Sequence, residues 1–345
     1  MKKIGVALGS GAARGFAHIG ILRALQAEGI PIDCVAGTSM GAIVGAVYAA
    51  GALPEMEKIL EHFTWKEMRA LLDPLFPTSG LLGGKHIEKL LGRLLNSQRI
   101  EAFSTPFAAV AADVATGKEV VLTSGDAVTA VRASMAIPGI FTPVFLDGRF
   151  LVDGGIVTPV PVQAARNLGA EIVIAVNLAG DMGKRSYIKP PAEHSPSRNS
   201  GKPDEPNLPP FLKGAIEKGR SLLEEHTQSV EEWFEERVER GREVLQDKAP
   251  FFGDWLKKGD ESVEFPDIFR VLFNSINIMQ DYLTKAGFVQ FPPDVLLTPD
   301  LADMRLVDFH KPQEGIREGE RVVREALPQI RAALDGTADS SAAEK

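Results

Sequence analysis

One serine stands between two glycines in the stretch Gly37-Thr38-Ser39-Met40-Gly41, a spacing that could carry a nucleophile. The apolar run IDCVAG precedes it and small residues follow it, so the sequence predicts a strand, a sharp turn and a helix. Such a turn exposes the hydroxyl at the carboxyl end of a sheet and directs the first helical N–H groups towards developing negative charge. The motif is common by chance, but this context favours a nucleophile over a structural hydroxyl.

A second glycine-rich turn, GSGAARG over residues 9–15, follows the first predicted strand. A dinucleotide-binding loop would need a glycine at the position of Arg14 and an acid at the end of the second strand, whereas Asp33 lies at its beginning. The alternative is an oxyanion hole, in which backbone N–H groups surround a carbonyl oxygen that becomes negative. Arg14 would then anchor the loop or add positive charge beside it. The candidate oxyanion residues are Gly9, Ser10, Gly11, Ala12, Arg14, Gly15 and, from the other turn, Met40.

A nucleophilic serine needs a base, and none of the six histidines has a compelling context. His18 falls one turn into the first predicted helix, where a packed or capping role is expected. The stretch Asp153-Gly154-Gly155 follows a predicted strand, and its glycines permit a tight turn that holds the aspartate rigidly. The similar pair Asp147-Gly148 has the apolar flanks of a hairpin instead. An aspartate can activate a serine directly where the site is dry and the carboxylate is held in place.

Composition excludes several classes of function. The net charge of −8 argues against a nucleic-acid-binding protein and gives no general attraction to anionic lipid. The lone Cys34 permits no intrachain disulfide, indicates a reducing compartment, and is expected to be buried in a strand. No group of His, Asp and Glu has the spacing of metal ligands, and no cofactor is expected.

Two segments resemble targeting or membrane signals. The first residues have two lysines and then an apolar run, as a signal peptide has, but Arg14 ends that run early. Residues 34–54 are uncharged and about as long as a membrane span. Glycines interrupt them and their beginning has the character of a buried strand, so we expect a strand and a helix there.

Alternating strand and helix patterns predict a parallel α/β sheet over the first 178 residues. Helical patterns cover 55–70, 84–95 and 126–135. The stretch FLDGRF predicts a hairpin, and strand-like spacing recurs in DVLLTPDLADMRLVDF over 294–309. Helices are also expected over 266–285 and 312–334.

Three ordered motifs, LGSGAARGFAHIGIL, GTSMGA and LVDGG, resemble those of the bacterial patatin-like phospholipases. ASMAIPGIFTPV over 133–144 and DVATGKEV over 113–120 are similar to the same family. The resemblance covers residues 4–178 well and 293–334 more loosely. It implies an α/β/α sandwich with a mostly parallel central sheet and an added helical region, a Ser39–Asp153 dyad and an oxyanion loop at 9–15. Ser10 and Ala12 depart from the usual glycine run, which backbone donors do not require.

The expected organisation has five parts. A patatin-like catalytic core spans 1–180, a flexible linker with seven prolines spans 181–210, and a helical insertion spans 211–290. A strand and helix over 291–335 return to the core, and 336–345 form a disordered tail. The insertion contains a long amphipathic pattern over 211–258 that suits a homo-oligomer contact.

The expected function is a cytoplasmic serine acyl hydrolase of phospholipase A or lysophospholipase type, with a phospholipid or lysophospholipid as substrate. A thioesterase, a transacylase and a non-catalytic regulator of the same fold are the alternatives. Phe251, Phe252 and Trp255 are candidates for peripheral contact with the inner face of the membrane, and packing against the core or a second subunit is the other interpretation.

Overall fold

A central sheet of eight strands organises the chain, and its first strand lies near the middle. The structure is a computed structural model that describes residues 2–73, 80–180 and 268–336. From one edge to the other the strand order is β10-β9-β1-β2-β4-β8-β7, and β5 also pairs with β4. The strands are β1 (Ile4–Leu8), β2 (Cys34–Thr38), β4 (Phe107–Asp113), β5 (Glu119–Leu122), β7 (Val144–Leu146), β8 (Arg149–Asp153), β9 (Ile172–Val176) and β10 (Val295–Leu297).

The five strands from β10 to β4 are parallel to one another, whereas β5, β7 and β8 add antiparallel pairs at one side. A separate parallel pair joins β3 (Gly80–Leu82) to β6 (Gly139–Phe141). The mostly parallel sheet expected from the sequence is therefore confirmed, since strand–helix–strand connections bring successive strands side by side in the same direction.

Helices cover both faces of the sheet. Side chains alternate along β1, so that Val6 and Leu8 join one apolar cluster and Ala7 joins another. The first cluster includes apolar side chains of α1, α2, α6 and α9, and the second includes those of α7 and Phe288 of α8. The helices are α1 (Ala17–Ala27), α2 (Met40–Ala49), α3 (Leu53–Glu61), α4 (Trp65–Ala70), α5 (Lys85–Leu94), α6 (Ala127–Ser134), α7 (Val162–Asn167), α8 (Ile268–Gln290) and α9 (Pro312–Asp335).

Backbone-to-backbone contact holds α9 against α1. A Cβ added to Gly20 would lie 1.9 Å from the carbonyl oxygen of Ile316, and one added to Gly319 would lie 2.0 Å from that of Ala17. Glycines at both positions therefore allow the two helices to approach more closely than side chains would permit. This contact packs α9 against the apolar core formed with β1 and β2.

Three expectations from the sequence need correction. The single helix predicted over 55–70 is two helices, because Thr64 begins a new one as its N-cap, with Glu67 completing a capping box. The helix predicted over 266–285 extends to Gln290. Of the stretch 294–309, Val295–Leu297 alone forms a strand. The predicted hairpin is confirmed, with positive φ at both Asp147 and Gly148 in its turn.

The two segments that resemble targeting or membrane signals belong to the folded core. The apolar run near the start is β1, and residues 34–54 comprise β2, α2 and the beginning of α3. Across the described ranges, no helix is both long enough and apolar enough to cross a membrane.

Two compact units divide the chain: residues 1–185 with 276–345, and residues 186–275. Of the second unit the structure describes the beginning of α8 alone. The predicted linker over 181–210, the amphipathic pattern over 211–258, the aromatic residues Phe251, Phe252 and Trp255, and residues 337–345 of the predicted tail lie outside the described residues. The domain boundaries stay predictions.

Candidate active site

Ser39 lies at the sharp turn between β2 and α2, with φ 57° and ψ −120°. This backbone conformation is unfavourable for a residue with a side chain, by about 1–3 kcal/mol, and it persists where the surroundings impose it. Here they do so through the flanking glycines. A Cβ on Gly37 would lie 2.2 Å from the carbonyl oxygen of Gly41, and one on Gly41 would lie 2.1 Å from that of Leu8. Only glycine fits at either position.

Two strands meet end to end beside β4 and bring Ser39 to Asp153. The last residue of β2, Thr38, pairs with Val110 of β4, and the last residue of β8, Asp153, pairs with the next residue, Ala111. Because β2 is parallel and β8 antiparallel to β4, their carboxyl ends point towards each other. The Ser39 hydroxyl donates a hydrogen bond of 2.5 Å to Oδ2 of Asp153, and both residues are buried.

The carboxylate of Asp153 is held at both oxygens. Oδ2 accepts from Ser39, and Oδ1 accepts a 2.7 Å bond from the backbone N–H of Gly155. Burial raises the pKa of Asp153 to about 6, although both hydrogen bonds act to lower it. Gly154 allows this turn to press on β4, because a Cβ there would lie 2.3 Å from the carbonyl oxygen of Val110. The group can therefore accept a proton near neutral pH.

The backbone N–H of Ser39 is bound by a residue that sequence reasoning missed. It donates a 2.9 Å bond to the hydroxyl of Ser134, which donates in turn a 2.5 Å bond to the carbonyl oxygen of Val110. Ser134 is the last residue of α6 and is fully buried. Ser134 lies in the family-like stretch 133–144, but the sequence assigns it no role, because that role arises from the packing of α6 on β4.

The glycine-rich stretch 9–15 forms the turn after β1 and a short 3-10 helix, and backbone bonds anchor it. Gly9 donates to the carbonyl oxygen of Val176 at 3.1 Å, and Ser10 donates to that of Pro159 at 2.8 Å. Further along, Ala13 donates to the carbonyl oxygen of Leu306 at 3.1 Å. Three separate segments of the chain therefore hold this loop in one conformation.

Two side chains add to this anchoring. The buried Arg14 donates through Nε to the carbonyl oxygen of Met304 at 2.8 Å, so it anchors the loop as the sequence suggested. Nε2 of the buried His18 lies 2.7 Å from the carbonyl oxygen of Gly9, to which it donates. Burial lowers the pKa of His18 to about 4, which keeps the ring neutral at pH 7. His18 is therefore hydrogen-bonded to Gly9 and not to Ser39.

Several N–H groups of the two turns have no acceptor in the described part of the chain, among them those of Gly11, Ala12 and Met40. The turns touch, because a Cβ on Gly15 would lie 2.2 Å from Cγ of Met40. Ala12 has a positive φ of 47°, so the loop is bent sharply at this residue. The arrangement suits a developing negative charge on an oxygen between the turns.

Gln280 of α8 is a second residue that sequence reasoning missed. Its Oε1 accepts a 3.0 Å bond from the hydroxyl of Ser10. A Cβ on Gly155 would lie 2.4 Å from its Nε2 and 3.2 Å from the Ser10 hydroxyl oxygen. Gln280 therefore joins the loop over residues 9–15 to the turn that holds Asp153. The sequence gives no sign of this, because 125 residues separate it from the nearest motif.

The remaining candidates are placed as follows. Cys34 is the first residue of β2 and is buried, and burial raises the pKa of its thiol to about 11, which leaves it an inert apolar residue. His310 stacks on Trp65 with 4.5 Å between ring centroids. No cluster of His, Cys, Asp and Glu that could hold a metal ion occurs in residues 2–73, 80–180 or 268–336.

The chain is similar to known proteins of one family. Residues 6–166 match the patatin-like phospholipase family. An uncharacterized NTE family protein of Mycobacterium tuberculosis is 32% identical over 343 residues, which cover 94% of this chain and 91% of that protein. The chain belongs to the patatin-like phospholipase family. It is thus assigned to the lipid ester hydrolases.

Two further proteins are similar to this chain, one in sequence over about half of it and one in structure. Lysophospholipase NTE1 of Pyricularia oryzae is 35% identical over 181 residues, which are 51% of this chain and 12% of that protein. The crystal structure of VipD from Legionella pneumophila covers 97% of this chain and 67% of its own, with 14% identity and a TM-score of 0.41. A structural likeness at that level indicates no function.

The Ser134→Ala variant of the patatin-like core tests the support of the strained turn. We expect the free energy of unfolding to fall by about 1–3 kcal/mol, because the buried N–H of Ser39 loses its acceptor. Turnover of a short ester should fall about tenfold, as a small displacement of a reacting group has large effects. Denaturant unfolding and steady-state kinetics measure both. The exposed Ser124→Ala variant is the matched control, and equal behaviour of the two variants would contradict the role of Ser134.

The Gln280→Ala variant tests the bridge between the two turns. It removes the acceptor of the Ser10 hydroxyl, so we expect kcat to fall by about three- to tenfold, in proportion to one neutral hydrogen bond. KM for a short ester should stay within twofold. The exposed neighbour Ile278→Ala is the control. An unchanged kcat in Gln280→Ala would show that α8 does not position the loop.

Proposed function

We propose that this protein is a serine acyl hydrolase of phospholipase A or lysophospholipase type, with Ser39 as nucleophile and Asp153 as base. The observation that carries the proposal is the buried 2.5 Å hydrogen bond from the Ser39 hydroxyl to Asp153 Oδ2, beside N–H groups without acceptors. Membership of the patatin-like phospholipases supports a fatty-acyl ester of a membrane lipid as substrate. A relative named a lysophospholipase points to the same class.

The reaction takes two steps. Asp153 Oδ2 accepts the proton of the Ser39 hydroxyl while Oγ attacks the acyl carbonyl carbon, and the carbonyl oxygen becomes negative. N–H groups of Gly11, Ala12 and Met40 stabilise that oxygen. The ester C–O bond then breaks, and the departing alcohol takes the proton from Asp153. In the second step water attacks the acyl-serine ester, Asp153 accepts its proton and returns it to Ser39, and the fatty acid leaves.

The turn geometry supports this division of roles. Ser134 occupies the N–H of Ser39, so that group is not available to the oxyanion. The next N–H, of Met40, begins α2 and adds the positive end of a helix dipole. Asp153 needs no imidazole between itself and the serine, because the two side chains are already in hydrogen-bond contact.

A membrane lipid as substrate requires peripheral contact with a bilayer. The lone, buried Cys34 supports a reducing compartment, so we propose a cytoplasmic enzyme that acts at the inner face of a membrane. The contact predicted for Phe251, Phe252 and Trp255 and the homo-oligomer predicted through 211–258 concern residues outside the described ones. Both stay predictions, as does the absence of nucleic-acid binding.

The Ser39→Ala variant should lose acyl hydrolysis by at least a thousandfold while its melting temperature changes little, because no atom is added at the tight turn. A fluorophosphonate probe should label the wild type once, at Ser39, as peptide mass spectrometry would show. Labelling at any other serine, or wild-type turnover in the variant, would contradict the assignment. Analysis of products from a lipid panel identifies the alcohol released and separates hydrolysis from acyl transfer.

The Asp153→Asn variant should lose several orders of magnitude in kcat, because an amide cannot accept the proton. Asp147→Asn is the matched control, since it changes the same dipeptide at the exposed hairpin turn. His310→Ala and His18→Gln should keep most of the activity of the wild type. A histidine variant as damaging as Asp153→Asn would indicate a triad.

The pH dependence follows from the pKa of about 6 at Asp153. The base must be ionised to accept a proton, so activity rises with pH through that value. We expect kcat/KM for a short ester to be about tenfold lower at pH 5 than at pH 7, with a midpoint near pH 6. Initial rates in buffers of constant ionic strength measure it. A flat profile between pH 5 and 7 would exclude Asp153 as the titrating base.

A further inference from the structure

The hairpin that leads to Asp153 exposes aromatic side chains. Phe145 of β7 and Phe150 of β8 are a cross-strand pair, 63% and 55% exposed, with 5.0 Å between their ring centroids. Val114, which follows β4, is 54% exposed and donates its N–H to the carbonyl oxygen of Phe150 at 3.0 Å. We call Val114, Phe145 and Phe150 the hairpin patch.

The two rings contact each other rather than the core. Both are more than half exposed although β7 and β8 belong to the main sheet, and neither belongs to its apolar clusters. Contiguous apolar side chains on a surface mark sites that contact a partner or a membrane. Phenylalanine is a large apolar group, and its transfer out of water is favourable by about 1.5–3 kcal/mol when complete.

The hairpin patch lies at the active-site end of the sheet. Phe150 and Asp153 are on the same strand, three residues and therefore about 10 Å apart. Thr38, the last residue of β2, pairs with Val110 of the neighbouring strand β4. Strand β4 continues for three more residues, to Asp113, and Val114 follows it. The patch is thus beyond the carboxyl end of β2, which carries Ser39. Because three residues separate them, the side chains of Phe150 and Asp153 point to opposite faces of the sheet. A bilayer on the patch would therefore lie at the same end of the sheet as Ser39 and not on the face of Asp153.

The charges around the hairpin patch are balanced. The exposed charged residues nearest to its members in the sequence are Lys118, Glu119, Asp147 and Arg149, which are two cations and two acids. The chain as a whole carries −8 and is repelled by an anionic surface. The patch is uncharged and aromatic, and the charges near it sum to zero. Such a surface suits zwitterionic phosphatidylcholine, because aromatic rings are favourable at the membrane interface.

We propose that the hairpin patch is the surface by which this enzyme contacts a zwitterionic phospholipid membrane. The inference rests on the proposed function, because it places the lipid that Ser39 would attack beside the strand that carries Asp153. It requires no charge attraction, so binding should change little between 50 and 300 mM salt. A second copy of the chain paired along the exposed edge of β7 is the competing occupant.

Vesicle flotation tests the proposal with the full chain and phosphatidylcholine vesicles. We expect the Phe145→Ser, Phe150→Ser double variant to bind about tenfold more weakly than the wild type. The matched control is Tyr282→Ser with Val289→Ser, which removes apolar side chains on α8 that are 72% and 87% exposed. Its binding should equal that of the wild type. Phe145→Trp with Phe150→Trp should restore or strengthen binding, which separates an aromatic contact from a general loss of structure.

A dye reports the contact directly. Cys34 is the single cysteine, so a Cys34→Ala chain can carry an environment-sensitive fluorophore at one chosen position. With Phe150→Cys we expect a blue shift on addition of vesicles, and with Val289→Cys we expect none. A shift at position 289 and none at 150 would overturn the proposal, as would no binding of the wild type to these vesicles.

Two further measurements keep this test separate from that of the dyad. Turnover of a short ester should be the same in the hairpin double variant and the wild type, so failure of the catalytic assignment leaves the binding result intact. Light scattering after size exclusion measures the oligomeric state. A dimeric wild type that becomes monomeric in the double variant, with unchanged vesicle binding, would assign the patch to a second copy and overturn the proposal.

Discussion

Backbone packed on backbone around the serine turn is the constraint on which the site depends. Gly37 contacts the first turn of α2, and Gly41 of that turn contacts the end of β1, so two strands and a helix meet without side chains between them. This packing fixes the unfavourable dihedral angles of Ser39. It also fixes where the hydroxyl and the N–H of Met40 point. A side chain at either glycine would move Ser39 before it disturbed the rest of the core.

The remaining parts of the site are brought to that turn by segments far away in the chain. Ser134 comes from α6, Asp153 from an antiparallel strand, and Gln280 from α8. The loop before α9 contributes carbonyl oxygens to Ala13 and Arg14. Each contact removes freedom from a turn that would otherwise sample many conformations, so the donors are in place before substrate binds. In the proposed mechanism, such preorganisation makes backbone N–H groups effective for charge stabilisation.

Sequence patterns predict the local parts of this structure better than the distant ones. G-x-S-x-G, the Asp-Gly-Gly turn and the Asp-Gly hairpin each require a backbone conformation that few residues adopt, so their residue types reveal them. The break at Thr64 was also visible in Thr64-Trp65-Lys66-Glu67, a capping-box pattern inside an apparently continuous helix. The roles of Ser134 and Gln280 could not be found, since a buried hydroxyl and a half-buried amide acquire them only when helices pack. The helix α9 was predicted, but its close approach to α1 was not, because that contact depends on glycines of both helices, Gly20 and Gly319, that are almost 300 residues apart.

The loop after β1 has alanine and serine where a glycine run would be expected. These residues restrict the backbone of the loop, and contacts with distant segments stabilise its conformation. Ala12 takes a left-handed backbone, which costs about 1–2 kcal/mol relative to glycine. Ser10 adds a hydroxyl that a glycine would lack, and that hydroxyl binds Gln280 beside the Asp153 turn. A run of glycines would reach this conformation without strain but would also leave it easily. Here alanine and serine reduce the number of backbone conformations that the unfolded loop can adopt. The native conformation is then stabilised by hydrogen bonds to the carbonyl oxygens of Val176, Pro159, Leu306 and Met304. The loop after β1 therefore relies on the folded core for its shape, and the helix that carries Gln280 becomes part of the support of the site in the proposed mechanism.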